Sequence, residues 1–151
     1  MQKVLNSKEI KKILNWLKEQ YGIKELKIGN VFLKSTKDKI YLSTNKISEL
    51  EPKSLRINII GMYFAKEDPK GVRLSIEGSQ IIGPKATKNV AELNKGQIAE
   101  WMRGEDVTFE GDFKGFVIIK HNNDFYGVGG YKEGKILNYV SKDRRIKRLT
   151  S

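Results

Sequence analysis

Cysteine is absent from this chain of 151 residues, and histidine occurs once, at His121. The first absence excludes disulfides, thiolate metal sites and cysteine nucleophiles. A single histidine argues equally against a His-based metal cluster or a Ser-His-Asp triad, and its position in a polar turn at residues 121–124 predicts a solvated side chain. No metal, no cofactor and no catalytic residue is expected. No apolar run reaches the roughly 18–20 residues of a membrane span. The longest, residues 57–65, is interrupted by Asn58 and Gly61. Lys8, Lys11 and Lys12 break the early apolar sequence, so neither a signal peptide nor a membrane partner is expected, and a cytoplasmic location is.

What is abundant is positive charge: 29 Lys and Arg against 18 Asp and Glu give a formal net charge of +11. With 38% apolar and 31% charged residues the chain reads as folded and water-soluble,. A basic excess of this size favours nucleic acid or another anionic surface as partner, through release of counterions from phosphates. The basic residues also cluster. Lys142, Arg144, Arg145, Lys147 and Arg148 fall within residues 142–148, opposed only by Asp143.

The N-terminal third predicts a small α/β unit, residues 1–53. Asn6 or Ser7 can cap a helix, with Glu9 three residues after Asn6 as in a capping box; Ile10, Ile13, Leu14, Leu17 and Tyr21 follow at helical period; Gly22 stops the helix. Leu26, Ile28, Val31, Leu33, then Ile40 and Leu42, flank a polar turn at 35–39 and predict a short antiparallel pair. Residues 47–52 read as a short helix or turn, and the charged, proline-containing segment 49–54 as a domain boundary.

Beyond it, residues 55–65 predict a long apolar strand with a bulge at Gly61, and Asp68-Pro69-Lys70-Gly71 a tight turn. Val72, Leu74 and Ile76 alternate as a returning strand, with a further short strand at 80–83. Val90 to Leu93 lead into a helix capped by Asn94 and Gln97, with Ile98, Trp101 and Met102 on its apolar face and Gly104 as its stop. Trp101 has the chemistry of a base-stacking platform, but its spacing from Ile98 and Met102 favours a core position. After a short strand at 107–109, residues 115–138 predict a three-stranded meander, with turns at 121–124 and at Glu133-Gly134. Gly127, Gly129 and Gly130 within one strand predict a bulge, or close approach of another backbone or a ligand. The carboxylates Glu105, Asp106, Glu110 and Asp112 lie in polar turns and read as solvated.

The order of these elements resembles a PUA domain. The residues that carry the likeness are Val90-Ala91-Glu92-Leu93, the helix through Trp101-Met102-Arg103-Gly104-Glu105, the strand Gly115-Phe116-Val117-Ile118, the element Gly127-Val128-Gly129, and Asn138-Tyr139-Val140-Ser141-Lys142-Asp143-Arg144-Arg145. More narrowly, the chain is similar to the PUA-like RNA-binding domain carried C-terminally by Nop/Nol/Sun-type RNA cytosine-5 methyltransferases. That version closes on an Asn-x-x-Pro-Lys-x-x-Arg signature, which Asn138, Lys142 and Arg145 match while Ser141 replaces the proline. The likeness spans roughly residues 55–147. It implies an α+β fold: the small N-terminal unit, then a mostly antiparallel PUA-like pseudo-barrel with one crossing helix in residues 54–151. Room for the methyltransferase half, and its two cysteines, are lacking, so the expectation is a freestanding, archaeal-type protein.

The resemblance implies a non-catalytic RNA-binding protein acting on structured rRNA or tRNA, in ribosome biogenesis or RNA modification. Lys85, Lys88, Lys114, Lys132, Lys135, Lys142, Arg144 and Arg145 would contact phosphates, Gly127 and Gly129 would admit the RNA backbone, and Asn138 would complete the site. Tyr126 or Tyr131 either stacks on a base or packs inward. Two other readings stay open. One is a subunit docking on a separately encoded RNA methyltransferase or pseudouridine synthase, marked by an exposed apolar patch on residues 1–50. The other is an enzyme, marked by a deep pocket with convergent, pKa-perturbed carboxylates.

Overall fold

The computed structural model describes residues 3–46 and 61–139. Helix α1 (Ser7–Tyr21) forms as the capping pattern predicts. The Asn6 side chain accepts the Glu9 N–H at 2.9 Å, and the Glu9 carboxylate accepts the Asn6 N–H at 3.1 Å. Gly22 closes the helix in the left-handed region at φ 62°, where a β-carbon is disfavoured.

Strands β1 (Lys3–Val4), β2 (Asn30–Lys34), β3 (Lys39–Lys46), β4 (Gly61–Asp68) and β5 (Gly71–Leu74) make an antiparallel sheet in chain order. The turn at Asp68 to Gly71 forms as expected, with the Lys70 N–H donated to the Asp68 carboxylate at 3.0 Å. The bulge is not at Gly61. Ile40 pairs with Ala65 and Tyr41 with Tyr63, so Phe64 is the extra residue, and both Phe64 and Ala65 are buried in the core. β4 and β5 follow the expected boundary in the chain, yet they pair with the sheet that precedes it. The segment 47–60, including the expected turn at 47–52, lies outside the described residues.

The strand expected to continue through Ile76, and the one at 80–83, are instead helix α2 (Ile76–Ile82) followed by a 3-10 turn (Gly83–Lys85). Ser75 makes the switch. Its Oγ accepts the Gly78 N–H at 2.9 Å and donates toward the carbonyls of Tyr63 and Phe64, at 2.6 and 3.0 Å. This serine is therefore a helix cap anchored to the neighbouring strand, and the apolar alternation of β5 ends there.

The second sheet has the order β6 (Val90–Glu92), β8 (Phe116–His121), β9 (Asp124–Lys132), β10 (Lys135–Asn138), β7 (Val107–Thr108). β6 runs parallel to β8, which puts helix α3 (Lys95–Met102) in the crossover between them. The meander β8–β9–β10 is antiparallel as expected. The fold is α+β, with two mostly antiparallel sheets of which one is barrel-like.

β8 is buried on both faces, which is why its sequence reads as a continuous apolar run. Ile118, with Phe125 and Val128 of β9, packs into one core with Leu17 and Tyr21 of α1 and Phe32, Ile40 and Phe64 of the first sheet. Val117 and Ile119 face the other way, against Ile98 and Trp101 of α3 and Ile136 of β10.

Tyr21 is fully buried in the first core, and its hydroxyl has no hydrogen-bond partner among the described residues. Burial pushes its pKa far above the ordinary tyrosine range. The unfolded chain ionises this group at roughly pH 10 while the native state keeps the proton. The linked stability is thus whole below about pH 10 and is lost as pH rises past it. Urea unfolding should weaken less between about pH 10 and 11 in Tyr21→Phe than in the wild type, with stabilities within about 1 kcal/mol at neutral pH. Identical pH dependence in the two proteins would contradict this account.

Candidate nucleic-acid interface

The register of the second sheet brings three of the expected lysines to one end of it. Lys132 at the end of β9 pairs with Lys135 at the start of β10, and Lys135 pairs with Thr108 of β7. On the other side Phe116 pairs with Gly130, and the Tyr131 N–H donates to the Gly115 carbonyl at 3.0 Å. Lys114 stands two residues before Phe116, separated from β8 by Gly115 at φ 72°, and so flanks the same end of the sheet. Neighbouring strands are about 4.8 Å apart, so the Lys132 and Lys135 side chains spring from adjacent rungs of one edge, with Lys114 beside them.

Lys88 is drawn to the same place by a clamp at the end of α1. The Gln20 side-chain amide donates to the Lys114 and Phe116 carbonyls at 2.7 and 2.8 Å. Asn89 donates to the Gln20 carbonyl at 2.7 Å and accepts the Lys114 N–H at 3.1 Å. Thr87 and Lys88 donate their N–H groups to the Tyr21 carbonyl at 2.8 and 3.3 Å. The open carbonyl end of α1 is thereby closed by the loop that carries Lys88, while Lys85 stands at its start, in the 3-10 turn. Lys85, Lys88, Lys114, Lys132 and Lys135 are all exposed, and none has an ion-pair partner among the described residues. The acids nearby are Glu133, in the β9–β10 turn, and Glu110, whose carboxylate lies by Gly134. Such an edge presents mobile ammonium groups to water and suits a polyanion.

The other expected residues are placed differently. Asn138 stands at the far end of β10, and its side-chain amide donates to the carbonyls of Trp101 and Glu105 at 2.9 and 3.1 Å. Its own N–H donates to the Asp106 carboxylate at 2.8 Å. Asn138 therefore ties β10 to the end of α3. Gly127 does mark a bulge: its φ is 94°, β9 carries one extra residue against β8 there, and its N–H donates to the Ser79 hydroxyl at 2.8 Å. Gly129 permits a close approach, and what approaches is the Trp101 indole and the backbone of Leu137. Lys142, Arg144 and Arg145 lie outside the described residues. Tyr131 packs edge-on against Phe113 at 5.4 Å, and Tyr126 borders the core around Trp101. His121, expected in solvent, is half-buried, with Nδ1 2.8 Å from the Leu93 carbonyl.

A pairing missed in the sequence is Arg73 of β5 stacked on Tyr139, with 4.8 Å from guanidinium to ring centre. Tyr139 leans edge-on to Phe116 at 6.2 Å and covers Gly130. The solvent-facing alternation of Arg73 in β5 was the available signal, but its partner lies 66 positions later in the chain, which no local pattern reports. A groove of about 900 Å³ runs between α1 and the β4–β5 turn, past Trp16. Of the four acids that line it, Glu9, Glu19, Glu67 and Asp68, Glu9 and Glu67 are held by Lys3 and Lys34 at 2.8 and 2.7 Å, and the Lys3 ammonium and the cap N–H hold the Glu9 carboxyl below its usual range. Among the described residues no cluster of His, Asp or Glu is arranged to hold a metal. No described helix is long and apolar enough to cross a membrane.

The family described as Methyltransferase RsmF PUA domain matches residues 88–146. Over these residues the chain is similar to the PUA domain of RsmF-type methyltransferases. The match takes in α3 and β6 to β10, and starts later than the expected 55, consistent with β4 and β5 belonging to the first sheet. The chain is also 28% identical over 140 residues to the ribosomal RNA small subunit methyltransferase F of Aeromonas salmonicida, covering 92% of this chain and 28% of that protein. Its counterpart in Erwinia tasmaniensis is 34% identical over 74 residues, 48% of this chain and 16% of the relative. That of Aliivibrio fischeri is 28% identical over 89 residues, 59% of this chain and 19% of the relative. The chain thus spans under a third of the length of these relatives, and none of them supports the archaeal-type origin expected from the sequence. The lysine edge, from Lys88 through Lys135, falls inside the RsmF-type PUA segment.

If Asn138 is a tie between β10 and α3, Asn138→Ala loses two amide hydrogen bonds and should cost roughly 1–3 kcal/mol in chemical denaturation. A stability equal to wild type would remove Asn138 from this role.

Proposed function

We propose that this chain is a non-catalytic RNA-binding module acting on structured rRNA or tRNA in the cytoplasm, in ribosome biogenesis or RNA modification. The observation that carries this reading is the edge formed by Lys88, Lys114, Lys132 and Lys135. Its lysines are exposed, without ion-pair partners among the described residues, and within the PUA-like segment. The relatives, ribosomal RNA small subunit methyltransferases by name, support RNA as the polyanion and a methyl-transfer setting for the module. Lys142, Arg144 and Arg145, outside the described residues, would add phosphate contacts in this reading, and Lys85 flanks the edge. A methyltransferase or pseudouridine synthase is the class of enzyme with which the module would work. For the docking reading the supporting sign was an apolar patch in residues 1–50; the one large hydrophobic exposed in their described part is Val4.

Phosphate contacts from lysines make affinity fall with salt, each duplex contact adding roughly 0.9 to the slope of log K against log salt. Fluorescence anisotropy with a labelled rRNA stem-loop and with tRNA, over a potassium chloride series, should show steep salt dependence. The triple variant Lys114→Ala/Lys132→Ala/Lys135→Ala should bind more weakly and lose about 2–3 from that slope. A variant that remains folded and binds with wild-type affinity and slope would refute the edge as the RNA site.

A further inference from the structure

The outer face of the first sheet holds a second set of cations and rings, remote in sequence from the PUA-like segment. Lys39 of β3 pairs in register with Lys66 of β4, and Lys66 pairs with Arg73 of β5. The bulge at Phe64 turns both Phe64 and Ala65 inward and leaves Tyr63 and Lys66 together on the outer face. Tyr41 and Tyr63 are cross-strand partners on that face, with ring centres 5.7 Å apart. The Lys39 ammonium sits 5.3 Å from the centre of the Tyr63 ring, and the Arg73 guanidinium 4.8 Å from that of Tyr139. Three cations thus lie on three neighbouring strands, none with an ion-pair partner among the described residues. The acid whose charge reaches Tyr63 is Glu77 of α2.

Edge protection explains a cation on an edge strand, and β5 is one. It does not explain Lys39 and Lys66, which sit on the interior strands β3 and β4. Cross-strand stacking alone accounts for a tyrosine pair, but not for rings interleaved with ammonium and guanidinium groups that have no ion-pair partner among the described residues. Cations about 4.8 Å apart along one line, with ring faces beside them, have the chemistry that tracks a single-stranded backbone while stacking its bases. Tyr139, 39% exposed, is one of two exposed large hydrophobics among the described residues and sits where this face meets the second sheet.

We propose that the outer face of the first sheet, through Lys39, Lys66 and Arg73 with Tyr41, Tyr63 and Tyr139, binds single-stranded RNA. The cations meet phosphates, and the tyrosines, Tyr139 foremost, stack on bases. This surface is distinct from the lysine edge and stands or falls apart from it.

The test uses the whole chain and two probes, a labelled 12-nucleotide oligouridine and heparin, at about 100 mM salt. Lys39→Glu/Lys66→Glu should weaken oligouridine binding at least tenfold, whereas Lys11→Glu/Lys12→Glu, the same charge change on exposed α1 positions, should weaken it far less. Tyr139→Ala should lose roughly tenfold for oligouridine and leave heparin binding unchanged, as expected when a base is stacked. Tyr139→Phe should retain binding, which separates stacking from a loss of structure. Four outcomes overturn the proposal: no oligouridine binding by the wild type, equal losses in the two charge-reversal variants, unaltered binding by Lys39→Glu/Lys66→Glu, or equal loss of heparin and oligouridine in Tyr139→Ala. Stem-loop binding measured alongside, with the Lys114/Lys132/Lys135 alanine variant, reports on the lysine edge separately. Either surface can therefore fail while the other stands.

Discussion

Everything in this molecule turns on one strand being buried on both sides. β8 sends Ile118 into the core shared with α1 and the first sheet, and Val117 and Ile119 into the core under α3. The hydrophobic drive to cover both faces makes the two sheets neighbours through a common element, so the first sheet and the PUA-like segment are not independent in their packing. Helix α1 is the cover on one side, and its end has to be closed where it meets the start of β8. Asn89, Thr87 and Lys88 close it by donating to the Gln20 and Tyr21 carbonyls, while the Gln20 side-chain amide ties it to the Lys114 and Phe116 carbonyls, leaving the lysines of the adjoining segments in water.

The charged edge is a consequence of that arrangement. Lys114 precedes the buried part of β8, Lys132 follows the buried part of β9, and Lys135 precedes the buried Ile136 of β10. Each lysine sits where its strand leaves the core, and antiparallel pairing gathers those exits at one end of the sheet. The opposite end of β10 is occupied by structure: Asn138 holds the end of α3, and Trp101 fills the space over Gly129. A glycine strand can admit a backbone from outside or an indole from inside. Here the indole takes the space, and it donates its own N–H to the Tyr126 carbonyl at 2.9 Å.

Much of this was readable because it is local. The capping boxes at Asn6 and Asn94, the turn at Asp68 to Gly71, the meander, and Trp101 as a core residue all depend on neighbours within four or five positions. The resemblance supplied the PUA-like segment, and the family match supports it over residues 88–146. What was not legible depended on remote partners. Ser75 became a cap because β4 offered it two carbonyls, the bulge moved from Gly61 to Phe64 because the core took two successive side chains, and His121 found the Leu93 carbonyl across the sheet. The candidate site was legible as a set of basic residues, but not as the subset Lys88, Lys114, Lys132 and Lys135, because strand register for Lys132 and Lys135, and the clamp at the end of α1 for Lys88 and Lys114, bring those four together rather than spacing in the chain,.

The most direct measurement is lysine footprinting: acetylation of the chain with and without a bound rRNA stem-loop, read residue by residue by mass spectrometry. The account predicts that Lys88, Lys114, Lys132 and Lys135 are protected as one group, while Lys11, Lys12 and Lys70 along α1 and the β4–β5 turn react as in the free protein. Protection spread evenly over all lysines, or absent from those four, would contradict it.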